Sequence, residues 1–180
     1  MKKRTNMQKL LCLAREEGGA ELVEFALTSL VLVTLIFAFL NWMMGMYVFH
    51  FTTYAAQQAT RFAMVRGYTW SKHTTESCST SAPPNFTMPY NCTVSATDIQ
   101  NYVQSLAGPW IVPSGLTIDT TSSDVWTGQT PDGTTSPCSP NANSKGCLVK
   151  VTVSYNYTFL PLLKLSGQEM RATSEKAIQQ

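Results

Sequence analysis

Hydrophobic and polar positions divide the chain into two regions of different character. From Phe25 to Phe51 there is no Asp, Glu, Lys or Arg, and most positions are Leu, Val, Ile, Phe, Met, Trp or Ala. As a helix rising about 1.5 Å per residue, this run extends roughly 40 Å, more than the ~30 Å hydrocarbon core of a bilayer. A lone segment in lipid must satisfy every backbone N–H and C=O internally, which leaves a helix as its form. Past the run, Phe51, Tyr54, Ala55, Ala59, Phe62, Ala63 and Val65 recur at helical spacing, with Gln57, Gln58, Arg61 and Arg66 elsewhere. The helix is therefore predicted to continue beyond the bilayer. Gly67 is a natural C-terminal stop. Small residues along it (Gly45, Ala55, Ala56, Ala59, Ala63) would allow close approach, either of neighbouring helices or of the chain's own remainder.

After Gly67 the pattern becomes that of a small α+β domain. Ser95-Ala96-Thr97-Asp98 has the form of a capping box. Ile99, Tyr102, Val103 and Leu106 then share one helical face, and Gly108-Pro109 ends the helix. Leu116, Ile118 and Thr120 alternate as a strand. Leu148-Val149-Lys150-Val151-Thr152-Val153-Ser154-Tyr155, rich in β-branched residues at period two, is the clearest strand. Met170, Ala172 and Ser174 begin a last strand, reached through the Leu160-Pro161-Leu162-Leu163 turn. The stretches Gly67–Asn91 and Thr127–Cys147 are rich in Ser, Thr, Pro, Asn and Gly and read as loops. The predicted fold class is α+β: a long N-terminal transmembrane and stalk helix, then a small head with a short helix and an antiparallel sheet.

Charge sets the orientation. Lys2, Lys3, Arg4, Lys9 and Arg15 precede the apolar run with no acid among residues 1–15, and a basic flank before a first span holds that end in the cytoplasm. The region from about residue 68 is then exported. The formal net charge is only +2 over 180 residues, so no bulk electrostatic argument points to nucleic acid. Cys12 lies alone on the basic side, while Cys78, Cys92, Cys138 and Cys147 all lie beyond the span. Four cysteines in an exported domain read as two disulfides. Spacing favours Cys78–Cys92 and Cys138–Cys147, although four cysteines allow three connectivities. Zinc is the rival reading, against which stands the lack of CxxC-like spacing.

A secretory signal peptide would place its small residues after a short apolar stretch. Here the stretch is about twice the usual length, and Gly18, Gly19 and Ala20 stand before it. The helix is expected to remain in the working protein.

The segment Gly19-Ala20-Glu21-Leu22-Val23-Glu24-Phe25 resembles a type IV prepilin processing site, in which a basic leader ends in Gly and a dedicated peptidase cuts on the cytoplasmic face. Cutting after Gly19 makes Glu24 the fifth residue of the mature chain and the aromatic Phe25 the sixth, as in the Flp-type branch. Cutting after Gly18 would put Val23 fifth. This run, YAAQQATRFAMVRG at 54–67, and VTVSYNYTFLPLL with MRATSEKAIQQ in 151–180 resemble TadE-like minor pilins of tight-adherence pili. The likeness covers roughly the first 67 and last 30 residues, and 68–147 match no family pattern. It implies a leader at 1–19, a transmembrane and stalk helix at 20–67, and an exported head at 68–180 with two Cys-containing loops. It also implies an inner-membrane, single-pass subunit whose partners are prepilin peptidase, other pilins and minor pilins, an assembly platform and the lipid bilayer. A type II secretion pseudopilin shares the processing logic, and an unprocessed single-span exported binding module is the other alternative.

Cleavage would create an α-amino group on Ala20, with Glu21 and Glu24 in the first helical turn. Carboxylates there complement the helix dipole by about 0.3–1 kcal/mol. An acid at the edge of the apolar phase is costly unless paired, and the amine of an adjacent subunit could pair it. Enzymatic motifs are missing: there is no HExxH, GxSxG, P-loop or GxGxxG. His50 falls at the membrane interface and His73 in a polar loop, so neither a catalytic residue nor a metal or cofactor site is assigned. Trp70, Trp110 and Trp126 read as core or interface aromatics, and Trp42 lies within the span.

Overall fold

In the computed structural model, residues 17–68, 70, 80–89, 92–119, 125–134, 141–158 and 167–179 are described. Helix α1 spans Glu17–Val65, α2 spans Ala96–Ser105, a 3-10 turn covers Pro113–Gly115, and strands β1, β2 and β3 cover Leu116–Ile118, Leu148–Tyr157 and Gln168–Ala177. The fold is α+β, as the pattern of apolar positions predicts. Two compact units, Met1–Met44 and Gly45–Gln180, divide the chain.

In the first unit every described residue is helical. No residue in the most apolar window of α1 is buried by protein, and α1 is long and apolar enough to cross a membrane. Leu22, Phe25, Leu30, Leu35 and Phe39 are all exposed. Three hydroxyl side chains in this stretch turn back on their own helix. Thr28 donates to the Glu24 carbonyl at 3.0 Å, Ser29 to Ala26 at 2.9 Å and Thr34 to Val31 at 2.8 Å. Such bonds occupy hydroxyls that would otherwise have no partner in hydrocarbon.

In the second unit, α1 supplies Ala55, Ala56, Ala59 and Ala63 to the core, each at most 1% exposed. They pack in one cluster with Ile99 and Val103 of α2 and with Val149, Val151 and Val153 of β2. Small side chains let the helix backbone lie close to the sheet. Thr60 donates to the Ala56 carbonyl at 2.7 Å, and its hydroxyl lies 3.3 Å from the Ser174 carbonyl of β3. Of the two uses open to the alanine stripe, close packing within the chain is the one observed.

The sheet is antiparallel in the order β1-β2-β3. Leu116 pairs with Tyr155 and Ile118 with Val153, while β3 pairs with β2 along its whole length, from Leu148 opposite Ala177 to Tyr157 opposite Gln168. Period-two alternation sends Val149, Val151 and Val153 into the core and Lys150, Thr152, Ser154 and Asn156 to the other face. Helix α2 begins with a complete capping box: Ser95 Oγ accepts from the Asp98 N–H at 3.2 Å, and the Asp98 carboxylate accepts from the Ser95 N–H at 2.9 Å.

Helix α1 is described from Glu17 and ends at Val65, two residues before Gly67. The last carbonyls are met by one local bond and by tertiary partners, without a positive-φ glycine cap. Arg66 N–H closes onto Ala63 at 3.0 Å, Gln179 N–H donates to Met64 at 2.8 Å, and Val94 N–H donates to Arg66 at 3.3 Å. The positive-φ glycines are Gly128, Gly133 and Gly146, not Gly67.

Candidate functional site

Gly19, Ala20, Glu24 and Phe25 all lie in α1 and all are exposed. Gly19 is the informative one. A Cβ added there would meet nothing within 4 Å, and its φ is not positive. Glycine is a poor helix former, and among the described residues neither packing nor backbone conformation calls for it at this position. Glu24 lies two turns into α1, with its backbone carbonyl accepting from Thr28. Glu21 sits one turn before it on the same side. Neither carboxylate has an ion-pair partner among the described residues. Phe25, 72% exposed, extends the apolar surface from this point.

Cys92 and Cys147 are both disulfide-bonded and both fully buried. Cys147 follows Gly146, whose φ of +86° turns the chain into β2. Its carbonyl accepts from the Ile178 N–H at 2.7 Å and its N–H donates to Ser144 at 3.1 Å. Cys78 and Cys138 lie outside the described residues, as do Cys12 and His73. His50 is exposed on α1 with its ring edge-on to Phe49 at 6.0 Å. Among the described residues no group of three or more His, Cys, Asp or Glu side chains could hold a metal ion.

The tryptophans separate by environment. Trp126 is in the core and bridges to Val149, whereas Trp42 and Trp110 are two-thirds exposed.

Two features escaped the reading of the sequence. One is the polar face of the sheet opposite the core, where Thr117, Asp119, Glu169 and Arg171 line an open groove together with the buried Thr152 and Ser154. Thr152 and Thr173 hydroxyls bond across strands at 3.0 Å, and Lys150 pairs in register with Glu175. The alternation at 148–155 marks these positions as facing away from the core, but only the register brings them together. The other is the turn Thr130–Thr134, where the Asp132 carboxylate accepts from the Thr130 hydroxyl and from the Thr134 N–H and hydroxyl. These bonds, the Thr130 one foremost, hold the Asp132 carboxyl below its ordinary pKa.

No family model, curated protein or solved structure matches the chain.

Proposed function

We propose that the chain is a TadE-like minor pilin (pseudopilin) of a tight-adherence pilus, matured by a prepilin peptidase that cuts between Gly19 and Ala20. The observation that carries this reading is Gly19 itself, a helix-disfavouring residue with no packing role in the fold. A peptidase that must draw the backbone close has a use for the missing side chain. Removal of residues 1–19 would also change the status of the two acids. In the full chain Glu24 is well inside α1. In the shortened chain Glu21 and Glu24 enter the first turn beside a new amine, where a carboxylate is favoured by the helix dipole.

On this reading α1 anchors the subunit in the inner membrane with its head exported, and the subunit assists pilus assembly, adherence or biofilm formation. Its partners are other pilins, an assembly platform and the surrounding lipid. This role requires no catalytic group and no cofactor. Intact-mass measurement of the membrane-extracted protein tests the proposal. The mature chain should begin at Ala20, and Gly19→Leu should accumulate with its leader attached. A Gly19→Leu protein still shortened at Ala20 overturns the processing site. A wild-type protein that retains residues 1–19 supports the unprocessed single-span module instead.

A further inference from the structure

The turn after α2 carries exposed apolar side chains at a defined level of α1. The Ile111 N–H donates to the Gly108 carbonyl at 3.1 Å, so Pro109 and Trp110 occupy the corners of a tight turn. Ile111 is 3% exposed and anchors the turn in the core, while Trp110 on one side is 68% exposed and Val112 on the other 59%. Gly108 is seated against α1: a Cβ there would lie 2.8 Å from the Tyr47 hydroxyl. A larger residue at 108 would displace the Tyr47 hydroxyl, so the turn and this level of α1 are in contact.

That level of α1 matters because of where the apolar run ends. About 20 residues cross the hydrocarbon, so counting along the sequence from Glu24 brings the end of the span close to Gly45. Tyr47 then falls in the headgroup layer, where tyrosine and tryptophan concentrate because one end of each ring system is apolar and the other polar. The segment Leu106–Ile118 contains no charged residue, which suits a lipid surface better than a charged protein partner.

We propose that the Gly108–Val112 turn is a second membrane contact, laying Trp110 and Val112 into the headgroup layer of the bilayer that α1 crosses. This rests on the reading of α1 as a membrane span. It does not require that the chain be processed or join a pilus.

The test is tryptophan quenching of the full chain in vesicles whose lipids carry bromine either near the headgroup or near the chain end. Subtracting the signal of Trp110→Leu isolates Trp110, and subtracting that of Trp42→Leu isolates Trp42. Protection of Cys92 and Cys147 from alkylation verifies that each variant is folded. Trp110 should emit at shorter wavelength than in water and be quenched roughly twofold more by headgroup-proximal than by deep bromine. Water-like, unquenched Trp110 emission with Trp42 still quenched overturns the contact and leaves the span standing. Short-wavelength Trp110 emission insensitive to bromine also overturns it, because protein rather than lipid then covers the ring. If neither tryptophan is quenched, the span fails and the proposal with it.

Discussion

The rings of Phe62 and Tyr102 stack with centroids 4.3 Å apart and planes 10° from parallel, joining the last turns of α1 to α2. The Arg66 guanidinium lies 4.4 Å from the Phe62 centroid, and Phe86 meets both rings edge-on at 6.0 and 6.1 Å. Phe86 belongs to a loop closed on itself by Ser81 and Thr87, whose hydroxyls are 2.6 Å apart. One aromatic cluster thus ties two helices and a loop of otherwise irregular structure.

Phe62→Ala and Tyr102→Ala should each lower the stability of the head by about 2 kcal/mol, and a double-mutant cycle in urea should show coupling of about 1 kcal/mol. Additive losses would mean that the stack contributes only buried area. Burial foremost, with Tyr54 nearby and Arg66 partly opposing, pushes the Tyr102 phenol above its ordinary 10.0. The folded state therefore holds this proton longer than the unfolded chain does. The resulting contribution is complete below pH 10 and lost as pH rises through the folded value. Tyr102→Phe should flatten that alkaline decline.

Ala59 has no exposed surface and packs in the core with β2. Ala59→Leu should destabilise the head by about 1–3 kcal/mol through overpacking, whereas Gln57→Leu, at an exposed position, should change stability little. Trp126 fluorescence during urea unfolding reads both. Unchanged stability in Ala59→Leu would show that the stripe has room the structure denies it.

With the protein folded and unreduced, alkylating reagents should leave Cys92 and Cys147 unlabelled. Reduction should lower the thermal midpoint of the head, since a native disulfide typically contributes about 2–4 kcal/mol. Labelling of Cys92 or Cys147 without reductant would contradict the observed bonds.

Glu24 is exposed on α1, so Glu24→Ala should leave the head folded and oxidised while reducing co-purification with pilus subunits. Equal recovery of those subunits would restrict Glu24 to complementing the helix dipole.

Much of this fold is legible in the amino-acid pattern because its signals are local. The uncharged stretch from Phe25 to Phe51, the Ser95–Asp98 capping box and the alternation from Leu148 each depend on neighbours within one turn or one strand. What escaped depends on distant residues. The end of α1 looks like a glycine stop at Gly67, yet Gln179 and Val94, far off in sequence, take its carbonyls. Trp110 and Trp126 look equivalent as residues and differ in burial because Trp126 bridges to β2 while Trp110 occupies a turn corner. The segment from Gly19 to Phe25 shows in the sequence only as a resemblance to a processing motif. The structure adds that Gly19 stands in open space, a fact no composition or spacing carries.

The Gln179 bond to Met64 has a mechanical meaning. Ile178 is itself held on both sides, donating to the Cys147 carbonyl at 2.7 Å and accepting from the Gly146 N–H at 2.9 Å. Immediately before it lies β3, whose ten residues all pair with β2, and Cys147 is covalently cross-linked besides. Tension drawn along the last turns of α1 is therefore handed, through Gln179 alongside the core contacts, to a full-length strand ladder and a disulfide. The helix is a tether whose fastening is as strong as the sheet, so extraction force and head unfolding should be one event rather than two.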